Sequence, residues 1–222
     1  MSIATNILSI RTHIPANVRL VCVSKFNPNE AIEEAYASGE RIFGESKVQE
    51  LCSKYETLPK DISWHFIGHL QSNKIKSIVP FVSLIHGVDS YKLLIEIDKQ
   101  AEKQGKIVNC LLQVHIAKEE TKFGFSPDEL LAMMALGDWQ LLKNVQICGL
   151  MGMATFTNNR DQIRSEFKVL KALFNKARNE YFDTNSYFTE LSIGMSDDYL
   201  IAIEEGSTLV RVGSSIFGSR NY

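Results

Sequence analysis

The sequence predicts an α/β fold: a single-domain (β/α)8 barrel of the TIM type over residues 1–222. Three observations carry that reading. Eight short β-rich runs punctuate the chain, with helix-like stretches between them. Most of the runs are continuously apolar rather than alternating, the pattern of parallel strands covered by helices. Third, 222 residues over eight units leave about 28 each, enough for one strand, one helix and two short loops. An open doubly wound sheet is the competing architecture, but no G-x-G-x-x-G follows the first strand.

The first strand is expected at 20–24, on the apolar run Leu20-Val21-Cys22-Val23. A helix follows over 28–38. Ala31, Ile32, Ala35 and Tyr36 fall at helical spacing, Pro28 or Asn29 suits its start, and Gly39 suits its end. Strands come next at 41–44, 63–68 and 83–88. Residues 91–104 repeat the helical period through Leu94, Ile95, Ile97, Asp98 and Ala101, ending at Gly105. After strands at 107–115 and 145–151, a longer amphipathic helix runs over 159–181 through Ile163, Phe167, Leu170, Leu173, Phe174 and Ala177. The last strands are at 188–193 and 208–212, and an eighth helix is expected to start near Ser214.

Composition narrows the class. Hydrophobic residues at 45% and charged residues at 23% describe a folded chain rather than a disordered one. No apolar run approaches the ~18 residues of a membrane span, and the first twenty residues lack the pattern of a signal peptide. The formal charge of −2 argues against a general electrostatic grip on nucleic acid. Neither nucleic acid nor membrane is therefore an expected partner. Cys22, Cys52, Cys110 and Cys148 are too far apart for a paired zinc spacing or a C-x-x-C. Free thiols in a reducing cytoplasm are expected.

A barrel enzyme or binder keeps its chemistry at the C-terminal ends of the strands. Polar residues collect there. Strand one ends in Ser24-Lys25, strand two in Gly44-Glu45-Ser46, and strand three runs into His69-Leu70-Gln71-Ser72-Asn73-Lys74. Lys25 has two readings: it reaches solvent, or it points into the mouth, where partial desolvation favours a neutral, imine-forming amine. Arg211 interrupts an apolar strand, where a charge needs a partner or water. Gly213 allows close backbone approach, and Ser214 and Ser215 stand at a helix start. This turn is either a capped strand-to-helix connection or a phosphate site, since loops after strands seven and eight are the usual barrel phosphate site. In Gly194-Met195-Ser196-Asp197-Asp198, Ser196 suits an N-cap with the aspartates at the positive helix end; alternatively the loop lends N–H groups to the same phosphate.

Other motifs fail. His65 and His69 are four apart, but in a strand that separation is roughly 13 Å, too far to share a metal. His13, His86 and His115 are expected to be structural or exposed. No G-x-S-x-G elbow or phosphate-binding G-x-x-x-x-G-K-[ST] loop is present.

Several motifs occur in one order: Val23-Ser24-Lys25; Phe43-Gly44-Glu45 with Val48-Gln49-Glu50; His65-Phe66-Ile67-Gly68-His69-Leu70-Gln71-Ser72-Asn73-Lys74; Gly149-Leu150-Met151; Leu191-Ser192-Ile193-Gly194-Met195-Ser196-Asp197-Asp198; Gly206-Ser207-Thr208-Leu209-Val210-Arg211-Val212-Gly213; and Ile216-Phe217-Gly218. In them the chain resembles the pyridoxal phosphate homeostasis protein (YggS/PROSC) family, from about Val21 to Tyr222. The resemblance implies a barrel similar to the N-terminal domain of alanine racemase (PLP fold type III). It implies pyridoxal 5′-phosphate (PLP) held as a Schiff base on Lys25, with Arg211 facing the pyridine nitrogen. The phosphate is implied on Ser192, Gly213 and Ser214, with Met195 and Ser196 nearby. Two positions depart from the family pattern: Ser46 replaces the usual Asn, and Asn27 replaces a frequent lysine.

The resemblance implies a cytoplasmic, monomeric protein of vitamin B6 homeostasis that buffers PLP and delivers it to PLP-dependent apo-enzymes, without an established catalytic activity. The alternative is a racemase-like enzyme with weak or one-face chemistry. Racemases of this kind add a β-rich domain whose tyrosine serves the opposite face, and the chain ends at Tyr222 soon after strand eight. That expectation favours the carrier.

Overall fold

A computed structural model describes residues 2–119 and 123–218. Met1, residues 120–122 and residues 219–222 lie outside the described part, so the ends of the expected 1–222 domain, Tyr222 included, do too.

Eight strands close into a barrel in sequence order: β1 (Arg19–Val23), β2 (Ile42–Glu45), β3 (Ser63–Phe66), β4 (Leu84–Val88), β5 (Val108–Gln113), β6 (Val145–Met151), β7 (Glu190–Ser192) and β8 (Leu209–Val212). Every pairing is parallel, and β8 returns to β1 with Val21 opposite Arg211. All eight expected strands are present. Several are shorter than expected: β3 loses its last residues, β4 and β8 their first, and β5 and β7 residues at both ends.

The helices are α1 (Ile3–Arg11), α2 (Asn29–Ala37), α3 (Val48–Thr57), α4 (Ile75–Ile78), α5 (Tyr91–Glu102), α6 (Pro127–Leu136), α7 (Arg160–Tyr181), α8 (Tyr199–Glu204) and α9 (Ser214–Phe217). Asn159 caps α7, its side chain accepting from the Gln162 amide at 3.1 Å. The six apolar positions expected on this helix are its buried stripe, joined by Glu166. Ser126 and Glu129 form a reciprocal capping box at α6.

One element departs from the expectation. The helix starting at Ser214 is only a single turn. Instead α1, which precedes the first strand, packs on both α9 and α2 and covers the β8–β1 seam. It buries Ile7 and Ile10, and its Asn6 amide donates to the Ile216 carbonyl at 2.8 Å. The core has two parts. The larger lies between sheet and helices. The smaller fills the barrel with Val21, Leu84, Leu111, Cys148, Met151 and Leu209.

Candidate functional site at the barrel mouth

Lys25 follows β1 and is half-buried at the rim. The surrounding loop is held by an ion cluster. Lys54, a buried residue of α3, donates to the Ser24 carbonyl at 2.9 Å, to Glu45 Oε1 at 2.8 Å and to Glu50 Oε1 at 2.7 Å. The Ser24 hydroxyl donates to Glu45 Oε1 at 2.6 Å, and the Phe26 amide donates to Glu50 Oε1 at 2.6 Å. Phe26 adopts φ +66°, a left-handed backbone uncommon for a bulky residue. Burial raises the Glu45 carboxyl above its ordinary range, opposed by Lys54. Asn27, one of the two family departures, uses its side-chain amide on the Lys25 carbonyl at 3.2 Å.

Deeper in the barrel, Arg211 is buried and donates to the Ser192 carbonyl at 2.8 Å, the Ser192 hydroxyl at 2.5 Å and the Gly152 carbonyl at 3.0 Å. Burial lowers its pKa to about 10, and Asp198 acts in the opposite sense. The charge expected to need partners finds carbonyl dipoles rather than a bonded carboxylate. Beyond Ser192, the chain crosses the barrel: Ser192 Oγ lies 2.9 Å from His86 Nδ1, and His86 Nε2 lies 2.9 Å from His65 Nδ1. Burial lowers His65 to about 3 and holds His86 well below its ordinary value.

The two loops after β7 and β8 meet. The Gly213 amide donates to Ser196 Oγ at 3.2 Å. Ser196 is therefore not the helix cap: Asp198 stands at the cap position of α8, and its buried carboxylate accepts from the Met195 amide at 2.5 Å. Asp198 is raised above its ordinary range by burial, opposed by that bond. Gly194 sits at φ +93°, and a Cβ there would fall 2.5 Å from Ala202 Cβ, so only glycine fits. Gly213 also packs closely, its missing Cβ facing the Val23 carbonyl at 3.1 Å; the close approach lies against β1. Ser214 is exposed on the single turn of α9. Met195, partly exposed, lines a cavity of about 560 Å³ with Asp197, Asp198, Thr155 and Phe156.

His65 and His69 go to different partners. His69 bonds Asp89 at 2.8 Å and stacks on Phe123 with ring centroids 4.3 Å apart. Ser46, the other family departure, lines a small cleft with His69, Gln71 and Lys74. Among the described residues no group of three or more His, Cys, Asp or Glu is arranged to hold a metal. The sequence pattern identifies the strand-end residues. It does not reveal the bond from Lys54 back to Ser24 or the His65–His86 chain, since both join segments distant in sequence.

The donor set suits an anionic, planar, aldehyde-bearing ligand. A guanidinium, which only donates, lies deep; N–H and hydroxyl groups converge on two loops; an amine stands at the rim. The fold and this mouth define a barrel of the alanine racemase type, and the family model "Alanine racemase, N-terminal domain" matches residues 1–221. Alanine racemase of Clostridium difficile shares the fold at TM-score 0.73 and 11% identity, with 100% of this chain matched to 56% of that one. More narrowly, the chain belongs to the pyridoxal phosphate homeostasis protein family. It is 40% identical over 206 residues to the pyridoxal phosphate homeostasis protein of Aquifex aeolicus, covering 92% of this chain and 88% of that one. Among solved structures, PipY of Synechococcus elongatus PCC7942 without PLP matches at TM-score 0.92 and 36% identity, covering 98% of this chain and 100% of that one. PipY with PLP bound matches at TM-score 0.88 and 37% identity over the same shares.

Proposed function

We propose that this chain binds pyridoxal 5′-phosphate as a Schiff base on Lys25 and serves its homeostasis, buffering the cofactor and passing it to apo-enzymes. The observation that carries the reading is the register of β1 on β8. Val21 of β1 pairs with Arg211 of β8, so Lys25, just past the end of β1, stands further toward the mouth. When bound, the cofactor supplies an aldehyde carbon to which a neutral lysine amine adds reversibly, with loss of one water, to form a C=N bond.

Arg211 would hold the pyridine-nitrogen end, and a guanidinium that only donates keeps that nitrogen unprotonated. Gly213 and Ser214 would hold the phosphate, with Met195 and Ser196 beside them; Ser192, expected with them, is buried with its hydroxyl between Arg211 and His86. Because α9 is a single turn, individual N–H and O–H groups rather than a helix dipole would carry this contact. The reading has the protein working as a single-domain monomer in the cytoplasm; four free thiols suit a reducing compartment. No helix among the described residues is long and apolar enough to cross a membrane.

An absorbance titration with PLP tests the reading. The unaltered chain should develop the visible band of a lysine imine, and Lys25→Ala should not. An equal band in Lys25→Ala would overturn the assignment. Robust amino-acid turnover, lost in Lys25→Ala, would replace the carrier with the racemase-like enzyme.

A further inference from the structure

We propose that Glu45, Glu50 and Lys54 are positioning residues for Lys25, clamping the peptide groups on both sides of it. The proposal rests on the cofactor reading above and assigns a role to the Phe43-Gly44-Glu45 and Val48-Gln49-Glu50 motifs, which that reading leaves unexplained. The Lys54 ammonium has three donors and meets three acceptors: Ser24 O, Glu45 Oε1 and Glu50 Oε1. Glu50 Oε1 also accepts from the Phe26 amide, and Glu45 Oε1 from the Ser24 hydroxyl. The carbonyl just before Lys25 and the amide just after it therefore end on one ion cluster. Two of its members are sealed, the Lys54 side chain at 6% and that of Glu45 at 0% exposed, and Glu50 reaches the surface at 21%.

Two physical arguments point to positioning rather than stability. A buried ion cluster contributes little over well-packed apolar side chains, because desolvation offsets the attraction. The left-handed Phe26 backbone persists only where its surroundings over-determine it, and the clamp supplies that determination. An amine that must meet one carbon from one side gains from a fixed Cα, since a misplacement of about 1 Å costs on the order of a hundredfold.

The test compares PLP with its 4′-deoxy analogue, which keeps ring and phosphate but has no aldehyde. Glu50→Ala removes the acceptor for the Phe26 amide and leaves the Lys54–Glu45 pair in place. It should weaken PLP binding about tenfold to a hundredfold while leaving the analogue unchanged. Glu50→Gln, which keeps a carbonyl oxygen, should recover most of the loss. Affinities for both ligands unchanged from those of the unaltered chain, or equal losses for both in Glu50→Ala, would overturn the clamp. A second measurement uses the unaltered protein: the Phe26 amide, on an exposed residue, should exchange its hydrogen slowly. Exchange at the rate of an unstructured amide would overturn the clamp without any variant. An unaltered chain that binds neither ligand would overturn the cofactor reading, and Phe26 exchange would then decide the clamp alone.

Discussion

At the scale of the residue, Arg211 sets the direction of a proton chain. A guanidinium cannot accept, so Ser192 Oγ accepts from it and turns its own hydrogen to His86 Nδ1. His86 then carries its proton on Nε2 and gives that bond to His65 Nδ1. Both rings must be neutral for this order. Burial, with Arg211 and Arg19 nearby, holds them so. The sign of the pH effect follows. The folded His65 sits near 3 against an ordinary 6.5, so the unfolded chain takes up the proton first. Stability is full above pH 6.5 and falls as pH drops from there toward about 3. Nitrogen-15 spectra of the folded protein should show neither ring titrating near 6.5; a midpoint there would contradict the chain. Arg211→Lys should fold yet bind PLP about tenfold or more weakly, because a single ammonium cannot span the Ser192 and Gly152 carbonyls as the planar fork does. Unchanged affinity in a direct titration would remove Arg211 from the account.

At the scale of the element, the strands were legible because they are short apolar runs, and α7 because six apolar residues keep its period over its whole length. The single turn at α9 and the covering role of α1 were not. Ile3, Ile7 and Ile10 do fall at helical spacing, but nothing local says that a segment before β1 will pack on one after β8. Ser196 misled for a related reason. Its type suits a cap, yet its hydroxyl meets the Gly213 amide across the mouth, and Asp198 takes the cap position. If α1 completes the ring, emptying its buried side should be costly. Ile7→Ala should lose about 2–5 kcal/mol, read as a lower denaturant midpoint at unchanged slope. A loss near that of an exposed position would leave α1 as a peripheral segment.

For the whole molecule, the parallel sheet was legible from alternation, and its closure from the count of eight units and the missing G-x-G-x-x-G, against an open doubly wound sheet that alternates in the same way. Closure also explains why strand-end residues were the right place to look: Lys25, Ser192 and Arg211 are far apart in sequence, and β7, β8 and β1 are successive neighbours in the barrel. What supports those residues was not legible. The Lys54–Ser24 bond spans thirty positions and the His86–Ser192 contact 106, and each exists only once distant segments have packed together. The central claim is that Lys25 carries the cofactor at this mouth. The most direct test is borohydride reduction of the PLP-loaded protein followed by peptide mass mapping. The account predicts one phosphopyridoxyl adduct, on Lys25; label spread over surface lysines, or confined to another lysine, would contradict it.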